Sequence, residues 1–310
     1  DPYNDNFIPV HYTCENVVEG KRAAKRALQQ KFGLQQIDVP VVGIVTRLTA
    51  QKGIHLIKHA IHRTLERNGQ VVLLGSAPDA RIQADFVNLA NKLHGVNHGQ
   101  CRLSLTYDEP LSHLIYAGSD FILVPSIFEP CGLTHLVAMR YGTIPIVRKT
   151  GGLFDTVFDV DNDKERARDR GLEPNGFSFD GADSNGVDYA LNRAISAWFD
   201  ARSWFHSLCK RVMEQDWSWN RPALDYIELY RSASQIVIIQ PTANVVCCLQ
   251  VSDAAIQLLQ VPGHCCTASL SLVSSIPRGA QCNFLSSVIM HRLSLSRMLS
   301  SGMYVCFLCC

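Results

Sequence analysis

The stretch FILVPSIFEPCGLTHLVAMRYGTIPIV, residues 121–147, decides the fold. Both of its ends are continuous runs of Ile, Leu, Val and Phe, without the alternation of a strand that faces water on one side. Such runs belong to strands covered on both faces, as in a parallel sheet wrapped by helices. Between them lie a tight turn at Pro130, Cys131 and Gly132 and a segment of helical spacing at about 132–141. Strand, helix and strand in immediate succession make a parallel crossover. One carboxylate, Glu129, stands at the mouth of this unit, where a charge needs a partner or a ligand.

The same alternation extends in both directions from this stretch. It predicts strands at 41–46 (VVGIVT), 71–75 (VVLLG), 102–106 (RLSLT), 121–125, 144–148 and 176–179 (GFSF). Helices are expected between and after them, at about 53–67, 78–93, 109–117, 132–141, 187–200, 203–215 and 221–233. The fold class is therefore α/β, a doubly wound Rossmann-like parallel sheet. In such a sheet ligands sit beyond the carboxyl ends of the strands, so the loops leaving the strands are the ones to inspect. They read RLTAQKG (47–53), YDEP (107–110), SIFEPCGLT (126–134) and KTGGL (149–153).

With 310 residues, 29 Lys+Arg against 28 Asp+Glu and a net charge of +1, the chain has no field that would draw nucleic acid or an anionic membrane. Any anion must be bound locally. The average hides a break near Ser234. The last 76 residues hold eight of the 12 Cys and four charged side chains, Asp253, Arg278, Arg292 and Arg297. The other four cysteines, Cys14, Cys101, Cys131 and Cys209, lack paired spacing and fit reduced thiols. The opening residues lack the charged start and apolar core of a signal peptide, and a partial product is the expectation.

Arg47 and Lys52 flank a loop that opens a helix at Gly53, an arrangement suited to a diphosphate. Two solvated surface cations are the alternative. Cys131, Gly132, Leu133 and Thr134 start the next helix, with Gly132 permitting close backbone approach and Thr134 offering a hydroxyl. Gly151 and Gly152 form a third glycine turn, which taken alone reads as ordinary turn chemistry. Glu129 can accept hydrogen bonds from the hydroxyls of a sugar carried on the diphosphate, or simply interact with a helix N-terminus. Tyr107 offers a flat face to a nucleobase, although packing on the core is the commoner role of such a tyrosine.

TRLTAQKG, YDEPLSHLIYAGSDFILVPSIFEPCGLT and RKTGGLFDTV closely resemble the bacterial and plant glycogen and starch synthases. Within that family, the run from FIPVHYTCENVVEGK to QDWSWNRPALDYIELY looks most like the soluble class III enzymes of plants. The resemblance spans nearly all of residues 1–233. It implies a retaining glucosyltransferase of the GT-B type, in which two Rossmann-like domains enclose the active site and this chain supplies the carboxy-terminal one. It further implies that Arg47 and Lys52 hold the ADP phosphates and Glu129 contacts the donor glucose. Cys131 to Thr134 would line the sugar and distal phosphate, with Gly151 and Gly152 beside them, and Tyr107 would stack on adenine.

By the same resemblance glucose passes from ADP-glucose to the 4-hydroxyl of an α-1,4-glucan, with no metal and no cofactor, in a plastid. No nucleic acid or membrane partner is implied. A second glutamate, present eight positions after the first in the broader superfamily, is replaced by Val137, so paired carboxylates are not supported. His135 stands where the family usually has glutamine and is expected on the outer helix face. The amino-terminal domain, with its acceptor surface, is not found in this sequence, so the chain is expected to be inactive alone.

The expected organisation is a linker and helix at 1–39, a donor domain with its following helices at 40–234 and a tail at 235–310 that matches nothing in the family. A retained intron or shifted frame fits the tail's abrupt loss of charge best. A zinc site at HCC (264–266) and CFLCC (306–310) has only one two-residue spacing. A membrane anchor is interrupted by Gln240, Pro241, Asn244, Gln250 and Asp253. Two functions compete: a starch synthase fragment carrying the donor site, and a non-catalytic nucleotide-sugar-binding or regulatory module derived from one. A UDP-glucose donor is a further enzyme alternative.

Overall fold

The structure, a computed structural model, describes residues 1–96 and 99–238. Everything expected of the chain beyond Ile238, including the zinc, membrane and reading-frame interpretations, lies outside the described residues. Those residues belong to two compact units, 1–215 and 216–238. The boundary expected at 234 falls inside the second unit, whose regular element is helix α10 (Asn220–Ile238).

The first unit holds one parallel sheet of β1 (Val41–Val45), β2 (Gln70–Leu74), β3 (Cys101–Ser104), β4 (Phe121–Val124), β5 (Ile144–Arg148) and β6 (Phe177–Phe179). Their order is β3-β2-β1-β4-β5-β6. All six strands lie within one residue of the expected starts. The order reverses between β1 and β4, which pair through Val42 with Phe121 and Gly43 with Ile122. Crossing helices leave the sheet on opposite sides of that point, and a crevice opens there at the carboxyl ends of the strands.

The helices are α1 (Val17–Phe32), α2 (Ile54–Glu66), α3 (Ala80–Val96), α4 (Glu109–Gly118), α5 (Thr134–Arg140), α6 (Gly151–Thr156), α7 (Lys164–Asp169), α8 (Ser184–Asp200) and α9 (Arg202–Glu214). Among the described residues, no helix is long and apolar enough to cross a membrane. α4 begins where Asp108 accepts a hydrogen bond from the Leu111 N–H and Pro110 occupies the first turn. Both features are standard initiation chemistry. α8 starts in the same manner, with the Asp183 carboxylate accepting from Gly186 N–H.

Every residue of β2 and β4 is buried, as the unbroken apolar runs require. On one side Leu28, Leu34, Val41, Val72, Leu111 and Ile115 form a contiguous core. Each such side chain contributes about 1.5–3 kcal/mol on leaving water. The segment 1–39, expected as a linker and helix, is thus built into the unit: α1 lies against α4 and sends Leu28 into the core. The buried Lys21 of α1 donates to Ala117 O at 2.9 Å, Tyr141 O at 3.3 Å and Thr143 Oγ1 at 2.5 Å, which satisfies all three ammonium hydrogens.

Two short helices, α6 and α7, were not anticipated. The glycine turn at 151 and 152 is the first turn of α6, whose Leu153 packs with Val124, Val147 and Val157 beneath the strand ends. Six residues give too little periodicity for either helix to be read from the sequence.

Candidate functional site

The chain leaves β1, turns through a 3-10 segment at Ala50–Lys52 and enters α2 after Gly53, whose φ is +70°. A side chain at Gly53 would overlap the carbonyl oxygen of Pro125, so the residue type follows from the close approach of the two loops. The loops are fastened twice more. Ile127 N–H donates to Gln51 O at 2.8 Å, and Gln51 Nε2 donates to Phe128 O at 3.0 Å.

This approach brings Lys52 and Glu129 together, and Lys52 Nζ donates to Glu129 Oε2. Ser126 Oγ donates to the same oxygen at 2.9 Å. Both side chains of the ion pair are largely buried, at 17% and 10% exposure. Glu129 Oε1 has no partner among the described residues. A charge held this far from water needs its hydrogen bonds, so a free acceptor oxygen at this point is available to a ligand.

The pair lines a cleft of about 240 Å³ at the reversal of strand order, whose wall includes Thr46, Ser126, Gly132, Leu133 and Thr134. The third loop closes the arrangement from the β5 side. Gly152 N–H donates to Glu129 O at 3.0 Å and to Pro130 O at 3.1 Å. Any side chain at Gly152 would collide with the carbonyl of Cys131. Arg148, the last residue of β5, donates through Nη1 to Ile127 O at 2.7 Å and through Nε to Asp180 O at 3.1 Å.

Of the residues expected at the site, Lys52, Glu129, Gly132, Leu133 and Thr134 meet at the cleft. Gly151 and Gly152 back onto the Glu129–Cys131 turn, and Cys131 is exposed on that turn. Arg47 stands in the loop after β1 and is exposed. Tyr107 follows β3 at the same end of the sheet and is 83% exposed, so it does not pack on the core. Val137 is 39% exposed on α5 and brings no second carboxylate. α5 and α6 have only seven and six residues, so their dipoles add less at the cleft than that of the 13-residue α2.

One expectation is corrected. His135 is not on the outer helix face but fully buried. Thr156 Oγ1 donates to Gly152 O, and therefore accepts at 2.6 Å from His135 Nε2, which carries the ring proton. The other nitrogen, Nδ1, is buried without a partner. Burial pushes the imidazole pKa down to about 3, so the ring is neutral throughout the ordinary pH range.

Sequence reasoning passed over Ser126, Gln51 and Arg148. Ser126 and Gln51 lie in loops chosen for inspection, but a serine and a glutamine in a turn carry no spacing that marks them. Arg148 was read only as a strand end.

Residues 26–181 match the sequence profile described as "Glycosyl transferases group 1". The chain belongs to that family. It is 80% identical over 233 residues to starch synthase 3 (chloroplastic/amyloplastic) of Arabidopsis thaliana, covering 75% of this chain and 22% of the relative. To soluble starch synthase 3 (chloroplastic/amyloplastic) of Solanum tuberosum it is 78% identical over 236 residues, or 76% of this chain and 19% of the relative. The solved catalytic domain of starch synthase IV from Arabidopsis thaliana, bound to ADP and acarbose, superposes with a TM-score of 0.71 at 46% identity. The match covers 76% of this chain and 47% of that one. The fold is accordingly that of a GT-B glycosyltransferase. The chain spans about a fifth of the length of these two curated relatives.

Proposed function

We propose that this chain carries the donor site of a starch synthase and takes part in moving glucose from ADP-glucose to an α-1,4-glucan in a plastid. The observation that carries this reading is the Lys52–Glu129–Ser126 grouping at the cleft where strand order reverses. One oxygen of Glu129 is held there and the other has no partner among the described residues. In this reading the exposed Arg47 and the largely buried Lys52 receive the diphosphate, neutralising charge on the departing ADP, while Glu129 Oε1 accepts a hydroxyl of the glucose. Leu133 and Thr134 line the sugar, Cys131, Gly132, Gly151 and Gly152 shape the turn around it, and Tyr107 stacks on the base.

The donor is a substrate, and the reading assigns neither a metal nor a cofactor. Identity to plant starch synthases 3 supports the substrate class and the plastid location, and favours this reading over a non-catalytic module. Glucan binding and turnover require a second domain facing the cleft.

Calorimetric titration of the full chain with ADP, UDP and ADP-glucose tests the donor assignment. ADP and ADP-glucose are expected to bind more tightly than UDP. Arg47→Ala weakens both by about 10- to 100-fold, the range for one charge-assisted contact. If the unaltered chain binds none of the three nucleotides, the assignment is wrong.

A further inference from the structure

We propose that Ser126 is a positioning residue that orients the sugar-contacting carboxylate of Glu129, an inference that rests on the donor-site reading above. A carboxylate has a broad, shallow torsional preference about its last bond, so the plane of the Glu129 group is free to pivot unless something fixes it. Two donors fix it here. Lys52 Nζ and Ser126 Oγ both engage Oε2, which leaves Oε1 as the acceptor offered to the cleft.

The two anchors differ in what a ligand does to them. Lys52 is a cation beside the loop that would receive a diphosphate, and an incoming anion competes with Glu129 for its three hydrogens. Ser126 has one hydroxyl hydrogen, is 1% exposed and is neutral, so the anion has no electrostatic claim on it. Its main chain is also fixed: Arg148 Nη1 reaches Ser126 O at 3.4 Å and Ile127 O at 2.7 Å, while Pro125 precedes it. Once a diphosphate has drawn Lys52 away, Ser126 is the anchor that still holds Oε2. The hydroxyl therefore acts during donor binding, at the step where the sugar is gripped, and not on the nucleotide.

The test is the ratio of two affinities measured on the full chain. Ser126→Ala is expected to leave ADP binding within about 2-fold of the unaltered chain and to weaken ADP-glucose binding by about 10- to 100-fold, the worth of one hydrogen bond to a charged group. Retained ADP binding also shows that the variant is folded. In a Glu129→Ala background, Ser126→Ala should cause no further loss toward ADP-glucose, because its partner is gone. Equal loss toward both ligands, or an undiminished loss in the Glu129→Ala background, assigns Ser126 a structural role and overturns the proposal. Unchanged ADP-glucose affinity in the single variant does the same. If the unaltered chain binds neither ligand, the donor-site reading fails together with this one.

Discussion

Single residues at this site are held by more than their own chemistry, and His135 shows the consequence. Its Nε2 hydrogen is committed to Thr156, whose hydroxyl is committed to Gly152 O, so the imidazole fixes the opening turn of α6 at the cost of a buried, unpartnered Nδ1. The folded-state pKa of about 3 lies below the unfolded value of about 6.5. The unfolded chain therefore binds the extra proton first as pH falls, and stability is lost from about pH 6.5 toward pH 3. By pH 5 this amounts to about 2 kcal/mol relative to neutral pH. His135→Gln removes the titrating ring while keeping a donor for Thr156. Urea denaturation at pH 7 and pH 5 should show the unaltered chain losing about that much more than the variant. Equal losses in the two proteins count against a neutral buried His135.

At the scale of elements, the strands were legible because burial on both faces writes itself as unbroken Val, Ile and Leu. Helices of ten residues or more were legible from their apolar spacing. The loops that make the site were legible as places but not as contacts. Arg148 acts through hydrogen bonds to carbonyl oxygens 21 and 32 positions away, and Ser126 through a carboxylate three positions on in an irregular turn; no local periodicity announces either. The same holds for Asp159, a fully buried carboxylate between α6 and α7 that nothing in the sequence singled out. Arg193 of α8 grips it with two hydrogen bonds, 2.9 Å to Oδ1 and 2.8 Å to Oδ2, and Ser178 N–H of β6 donates to it at 2.7 Å.

Burial alone pushes the Asp159 carboxyl up, but these donors outweigh it and hold its pKa at about 2. Because that value is depressed, the stabilisation is complete above about pH 4 and fades as pH falls toward 2. Asp159→Ala leaves Arg193 short of its principal partner and is expected to cost about 3–5 kcal/mol in chemical denaturation. A cost below about 1 kcal/mol, the size of an exposed pair, would show that the tether between β6 and α8 is not structural.

For the molecule as a whole, near-balanced charge means that in the proposed function the grip on a diphosphate falls to the local cations Arg47 and Lys52. In the proposed function the described residues form one wall of the reaction cleft. The full chain incubated with labelled ADP-glucose and glucan should bind donor yet incorporate no glucose above background. Incorporation at a sustained rate without any added protein would show that the described fold is sufficient for transfer.

The fastening of the three loops by peptide groups has an evolutionary consequence. Gln51 O, Glu129 O and Pro130 O are acceptors that every amino acid supplies, and the glycines at 53 and 152 are fixed by the close approach of neighbouring carbonyls, Gly53 also by its positive φ. Ile127, Phe128 and Phe154 stand exposed on the same rim, at 37%, 56% and 42%. The side chains of Ile127 and Phe128 are free to drift between descendants, while the backbone fastening underneath is inherited unaltered.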